Sequence, residues 1–352
     1  MKALIAMSGG VDSAVAAYLM QQAGYDCTGA TMILCDQGLL GCAPPDIAED
    51  ALAVAQKLGM GFYKLDCAEQ FRTNVVEPFI RCYESGGTPN PCVECNRNLK
   101  FGAFLERALS MGFDCIATGH YAKIAYSENT GRYLLYRAGD KAKDQTYFLH
   151  SLTQHQLAHT RFPLGEMTKE QAREIAQAQG FINAKKRDSQ DICFIPDGDY
   201  LSFMKRYTGN DYPGGDYLDQ AGKVIGRHSG AVGYTIGQRK GLGIALGAPA
   251  YVVNKNMEKN TVTLGSNEDL FHTTLRADDW NWIPFADLTQ PIRVTAKVRY
   301  RHTEQPATVY PEENGSARVV FDEPQRAITA GQAVVLYDGD LVIGGGTITD
   351  VL

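Results

Sequence analysis

The strongest constraint on the fold sits at the very start of the chain. The apolar run Lys2–Met7 ends in Ser8-Gly9-Gly10, and a helical pattern follows at once over Ser13–Ala23. The same alternation then repeats. Strand patterns are read at Cys27–Leu34, Phe62–Leu65 and Cys115–Thr118. Helical patterns are read at Ile47–Leu58, Glu69–Glu84 and Asn98–Met111. Strands separated by helices of about 10–15 residues must be joined by crossovers, which gives a parallel sheet with helices on both faces. The expected class is therefore α/β, a doubly wound sheet whose ligands sit at the carboxyl ends of its strands.

After Pro196 the texture changes. Pro213-Gly214-Gly215 and a series of glycines from Gly222 to Gly247 lead into short β runs. These are Tyr251–Val253, Thr261–Leu264, Ile292–Val298, Ala307–Val309, Ala317–Phe321, Ala333–Leu336 and Leu341–Ile348, with turns marked by Asn314-Gly315 and Asp338-Gly339. A small β-rich central domain and a C-terminal β-barrel are expected. At roughly 150 residues per domain the 352 residues make two or three domains, drawn here as 1–205, 206–270 and 271–352.

Charge and cysteine usage narrow the function. With 34 Lys and Arg against 40 Asp and Glu, the chain has no global pull on nucleic acid, so any such binding needs a local basic patch. The nine cysteines all fall at or before Cys193, too uneven for a disulfide framework, which points to reduced thiols. No apolar run approaches the roughly 18 residues of a membrane span. Ala3–Met7 is too short for a signal-peptide core. A soluble, cytoplasmic protein without membrane association is the expectation.

The segment Ala6-Met7-Ser8-Gly9-Gly10-Val11-Asp12-Ser13 carries the first chemistry. Adjacent glycines let successive backbone N–H groups converge on phosphate oxygens, and the following helix turns its positive end to the same anion. Ser8 and Ser13 add hydroxyls, and Asp12 is a candidate holder of a phosphate-bridging magnesium ion. The lysine-bearing loop of γ-phosphate-transferring NTPases is missing.

The thiols carry the second. Thr88-Pro89-Asn90-Pro91-Cys92-Val93-Glu94-Cys95-Asn96 reads as a Pro- and Asn-rich turn just ahead of a helix. There a helix N-terminus lowers a thiol's pKa and makes Cys95 a candidate nucleophile. Half of a zinc site and inert buried thiols stay open as readings, although no second suitably spaced Cys pair exists. In Asp188–Pro196, Cys193 stands near the end of a strand-like run, where a cysteine is ordinarily a core residue.

The Ser8–Ser13 segment resembles the PP-loop of the adenylating ATP-pyrophosphatases. Taken with Thr88–Asn96, Lys100-Phe101, Ala117–Tyr121, Lys143–Gln145, Tyr147–Leu149, Ile192–Ile195, Tyr234–Gly243, Val298–Arg301 and Ala330–Gln332, the chain resembles the tRNA-specific 2-thiouridylase (MnmA/TrmU) family over essentially its full length.

That resemblance implies a tRNA sulfurtransferase. The wobble uridine C2 oxygen attacks the α-phosphate of ATP, and sulfur then displaces AMP. It places ATP, with magnesium, on Ala6, Met7, Ser8, Gly9, Gly10, Val11, Asp12 and Ser13, with Met32 and Gly119. The persulfide maps to Cys193 and the nucleophile to Cys95, with Asp12 counted among the catalytic residues. A sulfur-relay protein or a cysteine desulfurase is the implied donor. Target-base contacts map to Asn90, Pro91 and Cys92. Other tRNA contacts map to His120, Lys143, Asp144, Gln145, Arg299, Tyr300 and Gln332. Arg293, Lys297, Arg299, Arg301 and His302 would supply the local basic patch.

One position departs from the family pattern: members often have Asp where this chain has Cys92. Cys92, Cys95 and Cys193 are then three candidate ligands for a 4Fe–4S cluster, an alternative route to the same product. An amine-using ligase and a non-catalytic RNA-binding protein are further alternatives. Cys35 and Cys42 receive no role.

Overall fold

The structure, a computed structural model, describes residues 1–34, 46–184, 186, 192–244 and 247–352, with the backbone alone at 46 and 47. Cys35, Cys42 and the stretch from Asp188 to Asp191 lie outside the described residues.

Five parallel strands form the first sheet. They are β1 (Lys2–Ala6), β2 (Asp26–Ile33), β3 (Gly61–Asp66) and β4 (Cys115–Ala117), then, after the hairpin β5 (Lys123–Ser127) and β6 (Arg132–Tyr136), β7 (Thr160–Arg161). Their order is β3-β2-β1-β4-β7. The sheet is covered on both sides, and β1 shows it residue by residue. Leu4 belongs to a core with Phe71, Phe79, Phe104 and Leu105, whereas Ala3 and Ile5 belong to another with Ala14, Val15, Val54, Ala55 and Ala172. A strand buried on both faces reads as an unbroken apolar run, which is why Lys2–Met7 does not alternate. The doubly wound expectation holds.

The chain leaves β1 toward β2 and β3 and later returns to the other side of β1 as β4. The strand order therefore reverses between β1 and β4, and a crevice opens at their carboxyl ends.

Two helical expectations are refined. The run Ala68–Glu84 is one helical path through a π-helical stretch, Arg72–Val76. The expected Asn98–Met111 helix starts earlier, at Pro91, and passes through the π-helical stretch Cys95–Ala103 before Phe104–Ser110. Pro91 at the first helical position explains the early start, since its fixed φ and missing N–H suit that place.

β8 (Gly215–Leu218), β9 (Val224–His228), β10 (Tyr251–Asn256) and β11 (Thr261–Gly265) form a four-stranded sheet in the order β10-β11-β8-β9. The helix Tyr200–Thr208 precedes it and spans position 205. Six antiparallel strands then close a barrel. They are β12 (Phe271–Trp282), β13 (Ile292–Lys297), β14 (Gln305–Pro311), β15 (Ala317–Arg326), β16 (Ala333–Asp338) and β17 (Leu341–Val351), with β12 pairing both β15 and β17.

β8, β9 and the 12-residue β12 were not among the expected strands. β12 hides because its pattern is broken at Asp278-Asp279, where the register shifts and Asp279 takes φ 53°.

The barrel docks on the parallel sheet through β16. Val334 and Leu336 point into the barrel core, while Ala333, Val335 and Tyr337 join Tyr147, Leu149 and Leu135 in the core of the first unit. Tyr147 donates its hydroxyl proton to the Ala333 carbonyl at 2.9 Å. At the same joint Thr88 donates its N–H to the Ala330 carbonyl at 2.8 Å. The loop that carries Asn90 and Pro91 is thus held by the barrel.

Candidate active site

The glycine loop occupies the crevice. Gly9 takes φ 67°, a conformation that glycine alone adopts cheaply. Gly10 is the N-cap of the helix Val11–Gln22. Ser13 Oγ donates to the Gly10 carbonyl at 3.0 Å and accepts the Ser8 N–H at 3.2 Å, tying the loop to its helix. Met7 is fixed from β2, through its N–H to the Ala30 carbonyl at 2.8 Å and its carbonyl to Thr31 Oγ1 at 2.7 Å. Met32 lies at the carboxyl end of β2 beside it.

Gly119 follows β4 and closes the opposite wall. A Cβ there would stand 2.6 Å from the Asp12 carbonyl carbon and 2.7 Å from the Ser13 nitrogen, so only glycine allows this approach. Ala6, Ser8–Ser13, Met32 and Gly119 therefore lie at the ends of β1, β2 and β4.

Three side chains that the sequence reading gave no role complete the loop. Asn183, 3% exposed, donates Nδ2 to the Gly9 and Gly10 carbonyls at 3.3 and 3.1 Å. Tyr121 donates its hydroxyl to Asp12 Oδ1 at 2.8 Å. Lys169, 2% exposed, donates Nζ to Asp12 Oδ1 and Oδ2 at 2.8 and 2.7 Å. The capping box of Thr168 and Gln171 marks the start of the Lys169–Ala178 helix in the sequence, but nothing local ties Lys169 to Asp12.

Asp12 is thus not a free carboxylate. A magnesium ion on its oxygens would lie against an ammonium already bonded to both, so the residues present do not fit a protein-held magnesium there. Among the described residues no group of three His, Cys, Asp or Glu side chains converges as a metal site.

The thiols are arranged differently from the expected turn. Cys92 lies in the first turn of the Pro91–Glu94 helix, and Cys95 opens the π-helical stretch. Both are raised above the ordinary thiol value rather than lowered: desolvation by the surrounding protein outweighs the nearby Lys100 ammonium, which pulls the other way, although Cys92 keeps an exposed surface and Cys95 is half-buried. The helix is four residues long before it turns π-helical, too short to overcome that desolvation.

Cys193 sits in a turn, not a strand, closed by the Ile195 N–H on the Ile192 carbonyl at 2.9 Å. Phe194 pins that turn between Phe71 at 5.5 Å and Phe79 at 5.3 Å. Burial, then the charges of Cys95 and Cys92, push the Cys193 thiol up to about 12. Cys95 and Cys193, far apart in sequence, are thus within electrostatic reach of one another. The three thiols do not form a metal-holding group, so the 4Fe–4S alternative lacks the convergent ligand set it needs.

His120 follows Gly119. Its Nδ1 is 2.7 Å from Thr118 Oγ1, and its ring lies 5.6 Å from Phe101 and 5.9 Å from Phe162. Burial, reinforced by Lys100, holds the imidazole well below its usual value.

The remaining expected tRNA contacts divide into two sets. Asp144, Gln145 and Gln332 spend side-chain bonds on the fold. Asp144 accepts from the Ala138 N–H and Thr146 Oγ1 at 3.0 and 2.6 Å. Gln145 Oε1 accepts the Tyr121 N–H at 2.9 Å. Gln332 Nε2 donates to the Thr88 and Pro89 carbonyls at 2.9 and 3.2 Å. Asn90 stands at the N-cap position of the thiol helix without a side-chain capping bond, Pro91 is buried and Lys143 lies in the turn before Asp144.

Arg299 and Tyr300 follow β13. Tyr300 packs on Phe148 at 4.4 Å, and Phe148 accepts Asn96 Nδ2 on its carbonyl at 3.1 Å, which links Tyr300 to the thiol helix. Of the expected basic patch, Arg293 is neutralised by Asp322, with Nη1 on Oδ1 at 2.6 Å. Lys297, Arg299 and His302 are each held below their ordinary values, first by burial and then by cationic neighbours: Arg137, Arg326 and Arg299 respectively. Cations crowded in this way favour an anionic partner.

Residues 1–197 match the family described as tRNA methyl transferase HUP domain, 201–266 its PRC-barrel domain, and 272–348 the aminomethyltransferase beta-barrel domain. The tRNA-specific 2-thiouridylase MnmA of Clostridioides difficile is 48% identical over 352 residues, 99% of this chain and 98% of that protein. The MnmA of Moorella thermoacetica is 49% identical, covering 99% of each. Among solved structures, the U34-tRNA thiolase NcsA from Methanococcus maripaludis with its 4Fe-4S cluster matches 59% of this chain and 71% of that one. Its identity is 16% and its TM-score 0.36, too loose a likeness to fix chemistry. Identity near one half along the whole length places this chain in the tRNA-specific 2-thiouridylase (MnmA) family.

Proposed function

We propose that the protein is an ATP-dependent tRNA-uridine 2-sulfurtransferase acting on the wobble uridine of tRNAs of the Lys, Glu and Gln type. ATP, arriving as its magnesium complex, lies on Ala6–Ser13 between Met32 and Gly119. The uridine C2 oxygen attacks the α-phosphorus, the bond from that phosphorus to the bridging oxygen breaks, and pyrophosphate leaves. Backbone N–H groups and the helix N-terminus meet the charge that develops.

Sulfur enters as a persulfide on Cys193, delivered by a persulfide-bearing relay protein or a cysteine desulfurase. Cys95 gives up its thiol proton to solvent and attacks the inner sulfur of the Cys193 persulfide, forming a Cys95–Cys193 disulfide and expelling hydrosulfide. Hydrosulfide adds to the adenylated C2 and AMP departs. A thiol reductant then returns both cysteines to thiols. Asn90, Pro91 and Cys92 face the target base, with His120, Lys143, Asp144, Gln145, Arg299, Tyr300 and Gln332 along the path of the tRNA. The units 1–205, 206–270 and 271–352 divide this labour in a cytoplasmic enzyme.

The observation that supports the reading is that Cys95 and Cys92 lie within electrostatic reach of Cys193, although they are far from it in sequence. The test is nucleoside mass spectrometry of unmodified tRNA incubated with the protein, magnesium, ATP and a persulfide donor. A 2-thiouridine peak at the wobble position, lost in Cys95→Ser and Cys193→Ser, is expected. Absence of tRNA-dependent AMP formation would overturn the proposal.

A further inference from the structure

Lys169 is the first residue of the helix Lys169–Ala178, at the positive end of that helix's dipole, and is 2% exposed. A buried ammonium in that place is doubly disfavoured unless an anion answers it. Asp140 answers the helix end, taking the Lys169 N–H on Oδ2 at 3.2 Å. The ammonium itself reaches away to Asp12, the second residue of the helix that follows the glycine loop, and bonds both carboxylate oxygens at 2.7 and 2.8 Å. Tyr121 adds a third bond at 2.8 Å. The side chains differ in exposure: 3% for Lys169 against 30% for Asp12. The carboxylate therefore faces the crevice and the ammonium stands behind it.

We propose that Lys169 is a positioning residue of the ATP site, which cancels the charge of Asp12 and fixes its orientation so that a triphosphate can approach the loop. Resting on the proposed ATP-dependent reaction, this deepens it by assigning a role to a residue outside the loop motif. Without Lys169 a bare carboxylate would face a polyanion, across a partly buried gap where one charge on another changes affinity by about a hundredfold.

The test is ATP binding by calorimetry, without tRNA, for the wild type, Lys169→Met, Asp12→Asn and the double variant. Lys169→Met is expected to bind ATP about a hundredfold more weakly, and Asp12→Asn/Lys169→Met to recover most of that loss, because the uncompensated charge is gone. Lys169→Arg keeps the charge and is expected to bind within a fewfold of wild type. Thermal melts check folding, and the double variant, which removes both charges of the Asp12–Lys169 pair, keeps the test open if Lys169→Met unfolds. A double variant that folds and binds ATP as poorly as Lys169→Met, or a Lys169→Met that binds as wild type does, would overturn the role. Thiolation need not be measured, so failure of the sulfur chemistry is told apart from failure of this inference. A wild type that binds no ATP sinks both.

Discussion

Gly119→Ala tests the tightest contact in the crevice. The new Cβ would stand 2.6 Å from the Asp12 carbonyl carbon, 2.7 Å from the Ser13 nitrogen and 2.9 Å from the Asp12 Cβ. Ordinary contact begins at 3.4 Å, so backbone at the start of the helix Val11–Gln22 must retreat by 0.8 Å or Gly119 must. Two of the three atoms are main chain in a helix packed against the sheet, so no side-chain rotation relieves the clash. Overpacking of this kind costs about 1–3 kcal/mol of stability. The functional effect should be larger, because misplacing reacting groups by about 1 Å costs on the order of a hundredfold in rate. Gly61→Ala is the control, since its Cβ meets the Thr28 side chain at ordinary contact distances, Cγ2 at 3.5 Å and Oγ1 at 3.8 Å. Expected are a lower Tm and a loss of tRNA-dependent AMP formation of about a hundredfold in Gly119→Ala, with neither in Gly61→Ala. Gly119→Ala with full ATP affinity and wild-type turnover would refute the argument that this approach sets the site.

Asn183→Ala removes both bonds to the Gly9 and Gly10 carbonyls. It should cost about 1–3 kcal/mol in the melt and weaken ATP binding; an unchanged ATP titration would count against the brace. Lys100→Met removes the cation that opposes the raised values of Cys92, Cys95 and Cys193. Alkylation of Cys95 by iodoacetamide should shift to higher pH, with Lys100→Arg restoring the profile; identical profiles would remove Lys100 from the thiol chemistry. Burial pushes Cys27, Cys67 and Cys82 up to about 11 from 9.0. The folded state then holds protons that the unfolded chain has released, so their contribution to stability is whole below pH 9 and lost as pH rises to about 11. Native-state alkylation of these thiols at pH 9 as fast as in urea would contradict this.

How much was legible in the sequence follows from the range of each interaction. Ser8–Ser13 between a strand and a helix reads locally, because turn, cap and dipole all lie within a few residues. β1 reads for the same reason: burial on both faces leaves an apolar run. Where neighbours distant in sequence decide, the local reading failed. A turn ahead of a helix suggested lowered thiols, yet Cys92 and Cys95 are raised, because desolvation in the folded chain outweighs what their local turn supplies. Cys193 read as a strand-end core residue, yet Phe194 anchors its turn on Phe71 and Phe79. β12 was missed because its Asp278-Asp279 irregularity is compensated by pairing on both edges.

The sequence by itself determined the doubly wound sheet, the barrel that follows it, the anion-binding loop and the family, since each is written in short-range pattern or in motif order. Only the tertiary structure decided the partner of Asp12. Lys169 lies on another helix, and burial takes its ammonium out of water, so that it needs an anion such as the Asp12 carboxylate to answer it.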